Sequence, residues 1–246
     1  MSPSEQSVRR DLAACYRLVA MYGWDDLIFT HISARVPDEP GHFLINPYGM
    51  LFEEITASSL VKIDLQGQVV GTSRYPVNPA GFTIHSAIHE VRHDAGCVMH
   101  LHTLDGTAVS TATHGLLPLN QTAQLVCDAL AYHDYEGVAL DHAERPRLQQ
   151  DLGQKDMMLL RNHGTLTLGP TCAEAFMKMY FLERACSMQV RTLSGVSLAQ
   201  TYPTAPEVIA KNAALMEGSG PADLANKLVW PALMRKLQRL CPEFAD

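Results

Sequence analysis

The stretch "CVMHLHT" (97–103) constrains the fold more tightly than any other part of the sequence. Its uncharged, largely apolar run reads as a buried strand, the kind covered on both faces. Side chains two apart in a strand share a face, with Cα atoms roughly 6–7 Å apart. His100 and His102 therefore stand side by side where apolar residues would pack better. Imidazoles at that separation can converge on one cation at about 2.0–2.1 Å. Backbone groups or water could also satisfy both rings, and the spacing leaves that alternative open.

A second stretch, "LLRNHGT" (159–165), supplies a third candidate. His163 follows an apolar strand and precedes Gly164, where a turn would leave its side chain projecting from the strand end. Three neutral nitrogen donors would leave positions open for water or substrate, as in a catalytic rather than a structural site. Spacing alone does not bring His163 to the pair. Among the eleven histidines, His85 shares a helix face with Phe82 and Ile88 and reads as a hydrogen-bonded core residue. His89, His93, His114 and His142 have no converging partner and read as surface.

The remaining pattern is that of one α/β domain over residues 1–246, a mainly antiparallel sheet covered by helices and followed by a helical C-terminal tail. Ser2, Pro3 and Glu5 form a helix start, Val8, Leu12, Cys15 and Val19 repeat at helical spacing, and Gly23 is a stop. Residues 27–36 read as a strand, 41–52 as a strand running into a turn, and 61–71 as a hairpin. A helix over 81–93 feeds the histidine strand, and another spans 105–114. Residues 156–169 are two strands about a sharp turn. Thr171 and Glu174 cap a long helix ending near Gly195. In the tail, Pro231 breaks or kinks the second helical piece.

Composition narrows the function. The 246 residues are 47% hydrophobic and 18% charged, with a formal net charge of −7, which argues against nucleic acid or an anionic membrane as partner. Six cysteines lie far apart with no C-x-x-C pair, so they read as buried thiols in a reducing compartment. With no signal-peptide core and no membrane-length apolar run, the expected location is the cytoplasm.

Several blocks together resemble the class II aldolase/adducin family: "THISARVPDEPGHFLINPYGMLFEEITASSLVKIDLQG", "NPAGFTIHSAIHEVRHDAGCVMHLHT", "AYHDYEG" and "LLRNHGTLTLG". The likeness runs in order from about Cys15 to about Gly195, and is nearer to adducin heads and their bacterial relatives than to sugar-phosphate aldolases. It implies a three-layer α/β/α sandwich around a central, mainly antiparallel sheet. It also implies a homotetramer with sites near subunit interfaces, and one divalent ion per chain held by His100, His102 and His163. Zinc is the first expectation, with iron or manganese as alternatives.

The departures are informative. Where the aldolases carry a Ser-Ser-Glu stretch that binds phosphate and supplies the acid/base glutamate, this chain has Pro79, Ala80 and Gly81. The family's phosphate-binding Gly-Asn pair falls on Thr30 and His31, and the loop matching the epimerases' interface aspartate offers only Gln121 and Gln124. An acid/base must then come from His31, Tyr48, Tyr132 or Tyr135, with Thr30, Asn46, Gly49 and Gly81 around the substrate. Three function classes remain open. The first is a metal-dependent lyase acting on a small hydroxy-carbonyl or keto-acid compound by carbon–carbon cleavage or decarboxylation, and not an ordinary sugar-phosphate aldolase. The second is a non-haem iron oxygenase on the same fold, needing no glutamate. The third is a non-catalytic, adducin-like oligomerisation module.

Overall fold

Local signals place the first helix. In the computed structural model, which describes residues 2–138 and 141–246, α1 (Pro3–Tyr22) begins where the Ser2 hydroxyl accepts from the Glu5 amide at 3.1 Å. It ends where Gly23 turns left-handed at φ +67°, closing N–H bonds back onto Ala20 and Val19. The buried Glu5 carboxylate joins Arg9 and Lys62, tying this helix to the sheet.

Seven strands form one sheet among the described residues: β1 (His31–Arg35), β2 (His42–Ile45), β3 (Val61–Asp64), β4 (Cys97–Leu101), β5 (Leu130–His133), β6 (Met157–Leu160) and β7 (Gly164–Gly169). Their order is β3-β2-β1-β4-β7-β6-β5, and every neighbouring pair is antiparallel except β5 with β6. The expected three-layer α/β/α sandwich is thus the observed fold. Alternation along β4 sorts the layers. Cys97, Met99 and Leu101 pack with α1 and the long α-helix Cys172–Gly195, while Val98 packs with the helices Pro79–Val91 and Arg145–Leu152.

In chain order the helices are α1, α2 (Pro79–Val91), α3 (Leu104–Thr111), α4 (Gln121–Val126), α5 (Arg145–Leu152), α6 (Cys172–Gly195), α7 (Pro206–Ala213), α8 (Gly220–Asp223) and α9 (Trp230–Leu240). None among the described residues is long and apolar enough to cross a membrane.

Some expectations need correction. The strand read over 27–36 begins only at His31, because Leu27 and Thr30 take positive φ (+51° and +66°) and leave the extended region. The hairpin over 61–71 keeps β3 but returns only as an isolated bridge between Ile63 and Val69. His89 is buried at 1% exposure rather than on the surface, facing β1 from α2. Pro231 lies within a continuous helical run from residue 220 to 240, and the π-helical turn Leu224–Val229 just before it accommodates the missing N–H, so the helix is distorted there and not broken. Trp230 is buried against Phe176 and donates to Asp11 at 3.2 Å, so the tail packs on the body. Strand β5 and helices α4 and α5 are too short for their periodicity to stand out.

Gly96 decides how tightly β4 enters the sheet. A Cβ there would lie 2.0 Å from the Pro170 carbonyl oxygen, and backbone on both sides cannot yield cheaply. Gly96→Ala is expected to cost about 3 kcal/mol, lowering Tm by roughly 6–12 °C for a chain of this size. Gly195→Ala, where a Cβ meets nothing within 4 Å, should leave Tm nearly unchanged. Thermal unfolding followed by circular dichroism checks both.

Candidate metal centre

The sheet register assembles the three histidines. In the β1–β4 ladder His31 is paired with His100, and in the β4–β7 ladder Leu101 is paired with Thr165. One step beyond, His102 comes beside Gly164, and His163 follows from the turn that joins β6 to β7. Asn162 makes that turn at φ +54°. Gly164 has to be glycine, because a Cβ would meet the Leu101 carbonyl oxygen at 2.4 Å and the His102 ring at 3.1 Å. The three rings lie with centroids 4.7–4.9 Å apart, and one nitrogen of each falls within 4.8 Å of the others.

The donor chemistry fits a metal. His100 Nδ1 is 3.1 Å from the Thr165 carbonyl oxygen, which can only accept, so the proton sits on Nδ1. His102 Nδ1 is likewise 3.0 Å from the Asp26 carboxylate. With both rings neutral, the two Nε2 atoms are bare lone pairs 3.1 Å apart. A cation between them removes that repulsion, and the carbonyl and carboxylate behind them are the usual supports of metal-binding imidazoles. Burial holds His100 well below the ordinary imidazole range and pushes His163 down to about 4, so these rings are neutral near pH 7, as ligands must be.

A cleft of about 420 Å³ opens beside this triad, lined by Phe29, Thr30, His31, Tyr48, Pro79 and Tyr135 among others. The structure thus brings together His100, His102, His163, Thr30, His31, Tyr48 and Tyr135. Thr30 is a β-branched residue at φ +66°, buried, and its hydroxyl has no partner among the described residues. An unsatisfied buried hydroxyl costs about 1–3 kcal/mol, and a strained backbone in a cleft points to a ligand. Asn46 stands behind the cleft wall: its Oδ1 lies 2.9 Å from the Tyr16 hydroxyl, and its buried Nδ2 has no partner among the described residues. Gly49, at φ +111°, shapes the exposed turn after Tyr48 without lining the cleft. Tyr135 is half exposed, its ring 6.3 Å from that of His163. Tyr132 belongs elsewhere, its hydroxyl accepting from the Leu116 amide and its ring lying under Arg161. The side chain of Ala80 lies outside the described residues.

Gly81 explains its own presence. A Cβ at that position would come within 2.7 Å of the His31 ring, so the imidazole occupies the space into which any side chain from 81 would project. Behind His31 runs a buried polar chain. His31 Nδ1 meets His85 Nε2 at 2.9 Å, His85 Nδ1 meets the Ser33 hydroxyl at 2.5 Å, and that hydroxyl meets His89 Nε2 at 2.7 Å. Burial lowers the proton affinity of all three rings well below normal, so each holds one proton. Protons can run through this chain in either direction. One direction leaves His31 Nε2 bare, and the other leaves it protonated.

Sequence reasoning missed Asp26, Ser33, His85 and His89 as parts of the site. A signal existed: His31 and Ser33 share one face of a strand, and His85 and His89 one face of a helix. Nothing in the spacing said that those faces meet.

Comparison with known proteins agrees with this architecture. The family model described as Class II Aldolase and Adducin N-terminal domain matches residues 10–190. A candidate aldolase class 2 protein of Caulobacter vibrioides is 54% identical over 246 residues, covering 100% of this chain and 95% of that one. Alpha-adducin of Rattus norvegicus is 48% identical over 193 residues, 77% of this chain but only 26% of its own length. Among solved structures, an aldolase II superfamily protein from Pseudomonas syringae superposes with a TM-score of 0.93 at 46% identity, covering 100% of this chain and 98% of the other. L-fuculose 1-phosphate aldolase from Glaciozyma antarctica superposes at 0.84 with 27% identity, covering 98% and 92%. Matched by the family model over most of its length and by a close relative from end to end, this chain belongs to the class II aldolase/adducin family.

Proposed function

We propose that the protein is a divalent-metal-dependent lyase acting on a small, non-phosphorylated hydroxy-carbonyl or keto-acid compound, by carbon–carbon cleavage or decarboxylation. The observation that carries this reading is the pair of bare Nε2 atoms of His100 and His102, 3.1 Å apart at the edge of the cleft. One ion per chain is assigned to His100, His102 and His163, zinc first, with iron or manganese as alternatives. When bound, such an ion would act as a Lewis acid on a carbonyl or on vicinal oxygens and stabilise the negative charge developing there.

The chain's own residues supply the remainder. His31 lines the cleft with Nδ1 already engaged by His85, so Nε2 is the nitrogen left to take or return a substrate proton. The bonds through His85, Ser33 and His89 hold the His31 ring in place and set which tautomer it presents to the cleft. The Thr30 hydroxyl, without a partner among the described residues, is a donor for substrate oxygens, with Asn46 buried behind the cleft wall. Tyr48 and Tyr135 flank the cleft as further hydroxyl groups, Gly49 shapes the turn behind Tyr48, and Gly81 leaves room for the His31 ring. No lysine or arginine lines the cleft among the described residues, and Pro79 offers neither a side-chain donor nor an N–H, which disfavours a phosphate dianion.

We also propose that residues 1–246 act as one domain with a helical C-terminal tail. A homotetramer is supported by exposed Leu27 and Leu104, flanking the site residues at 65% and 90% exposure. The cytoplasm is supported by six free cysteines. Light scattering should return about four chains per particle, and a monomer at micromolar concentration would remove the shared-interface site.

Elemental analysis should find about one divalent ion per chain in the wild type, lost or much reduced in His100→Ala, His102→Ala or His163→Ala. Asp26→Asn, which weakens the support of His102, should lower metal affinity about 10–100-fold. Zinc or manganese with turnover of a 2-keto or 2-hydroxy acid fits the lyase. Iron with oxygen consumption favours the oxygenase reading, and a metal-loaded protein inert towards every substrate favours the adducin-like module. Efficient turnover of fuculose- or rhamnulose-type phosphates would show that the departures at 79–81 were misread.

The proton chain makes a separate prediction. His31→Ala should lower kcat by roughly 10²–10⁴ with metal content unchanged. Ser33→Ala, which cuts the chain without touching the cleft, should lower kcat by a smaller factor with little change in KM. Steady-state kinetics beside metal analysis checks both.

A further inference from the structure

Strand β4 carries a second cluster on its other face. Cys97 meets Cys15 of α1 and Cys172 at the first residue of α6, and the three sulfurs all lie within 4.8 Å of one another. Cys15 and Cys97 are fully buried, and Cys172 is 6% exposed. We propose that these three thiols form a second metal site, distinct from the histidine centre, that takes a soft d10 ion such as copper(I) or zinc.

The geometry supports a built site. With metal–sulfur bonds of about 2.3 Å, three sulfurs around one ion stand roughly 3.8–4.0 Å apart, so closing the cluster takes less than about 1 Å of movement. Cysteines used only as small apolar packing need not meet, yet these come from three elements far apart in the chain. The donor set is all sulfur, which selects soft ions over the harder ones suited to imidazole and carboxylate.

Each thiol lies within hydrogen-bonding reach of the other two. The guanidinium of Arg35, which lines the same groove, is held by the carbonyls of Ala95, His89 and Arg92. Asp11, one helical turn before Cys15, adds negative potential, and burial pushes its carboxyl up to about 6. Each thiol that binds a cation releases one proton to solvent. A surface groove of about 420 Å³, lined by Asp11, Arg35, Gly96, Pro170 and Cys172, supplies the way in.

Cadmium(II) is the probe, because thiolate ligation gives an ultraviolet charge-transfer band that imidazole ligation does not. The fully reduced, metal-free protein is titrated as wild type, His100→Ala, Cys97→Ala and Cys172→Ala, with copper(I) against a competing chelator as a second arm. The band should saturate at one equivalent per chain in wild type and in His100→Ala, and copper(I) should compete it away. It should fall by at least half in Cys97→Ala and in Cys172→Ala, whose folding is checked by circular dichroism. If Cys97→Ala does not fold, the wild-type titration and Cys172→Ala, at the groove, still decide. Absence of the band in wild type with every thiol reduced would overturn the site, as would a band unchanged in a folded cysteine variant. A mass loss of two hydrogens on mild oxidation, with no ion bound beforehand, would instead make the cluster a disulfide pair and also overturn it.

Discussion

The structure depends on the register of β4 between β1 and β7. Pairing His31 with His100 on one side and Leu101 with Thr165 on the other brings residues 31, 100, 102 and 163 to one end of the sheet. A slip of one residue would carry His100 to the face of α1 and α6 and Cys97 to the face of α2. Close approaches guard against that slip. Gly96 packs against the Pro170 carbonyl and Gly164 against the Leu101 carbonyl, so both ends of β4 are held where a side chain would not fit.

Given that register, the site is an electrostatic arrangement before it is a chemical one. Two nitrogens are stripped of their protons by a carbonyl and a carboxylate behind them and held facing one another. Burial keeps the surrounding imidazoles neutral at the pH where cations are available. Tyr16 stabilises the adjoining backbone: its hydroxyl accepts from the Ile32 and Asn46 amides, and so fixes the start of β1 against the end of β2. This lets Thr30 stay at positive φ beside His31, a conformation that an unsupported chain would relax.

The comparison with the aldolase relatives gains a physical reading from Gly81. By the resemblance in sequence, residues 79–81 stand where an acid/base glutamate is expected in the aldolases, and the His31 imidazole fills the volume in front of Gly81. The two changes are sterically coupled, since a larger residue at 81 and the present His31 ring cannot coexist without displacement. The family is shared, and the proton-handling group on which the proposed chemistry rests differs from the glutamate.

Much of the fold was legible in the sequence. The cap at Ser2, the left-handed stop at Gly23, the N-cap at Thr171 and the alternation along 97–101 are local rules, and each held because it depends on residues within a few positions. The metal ligands were legible as candidates for the same reason: His100 and His102 share a strand face whatever the strand pairs with. Convergence was different. His163 reaches the pair only through antiparallel pairing of β4 with β7, and the family resemblance supplied that proximity where spacing could not. The buried chain through Ser33, His85 and His89, the Asp26 support of His102 and the cysteine cluster all lie between elements distant in sequence. Periodicity says which face of an element a side chain takes, and only the packed sheet and helices decide what that face meets.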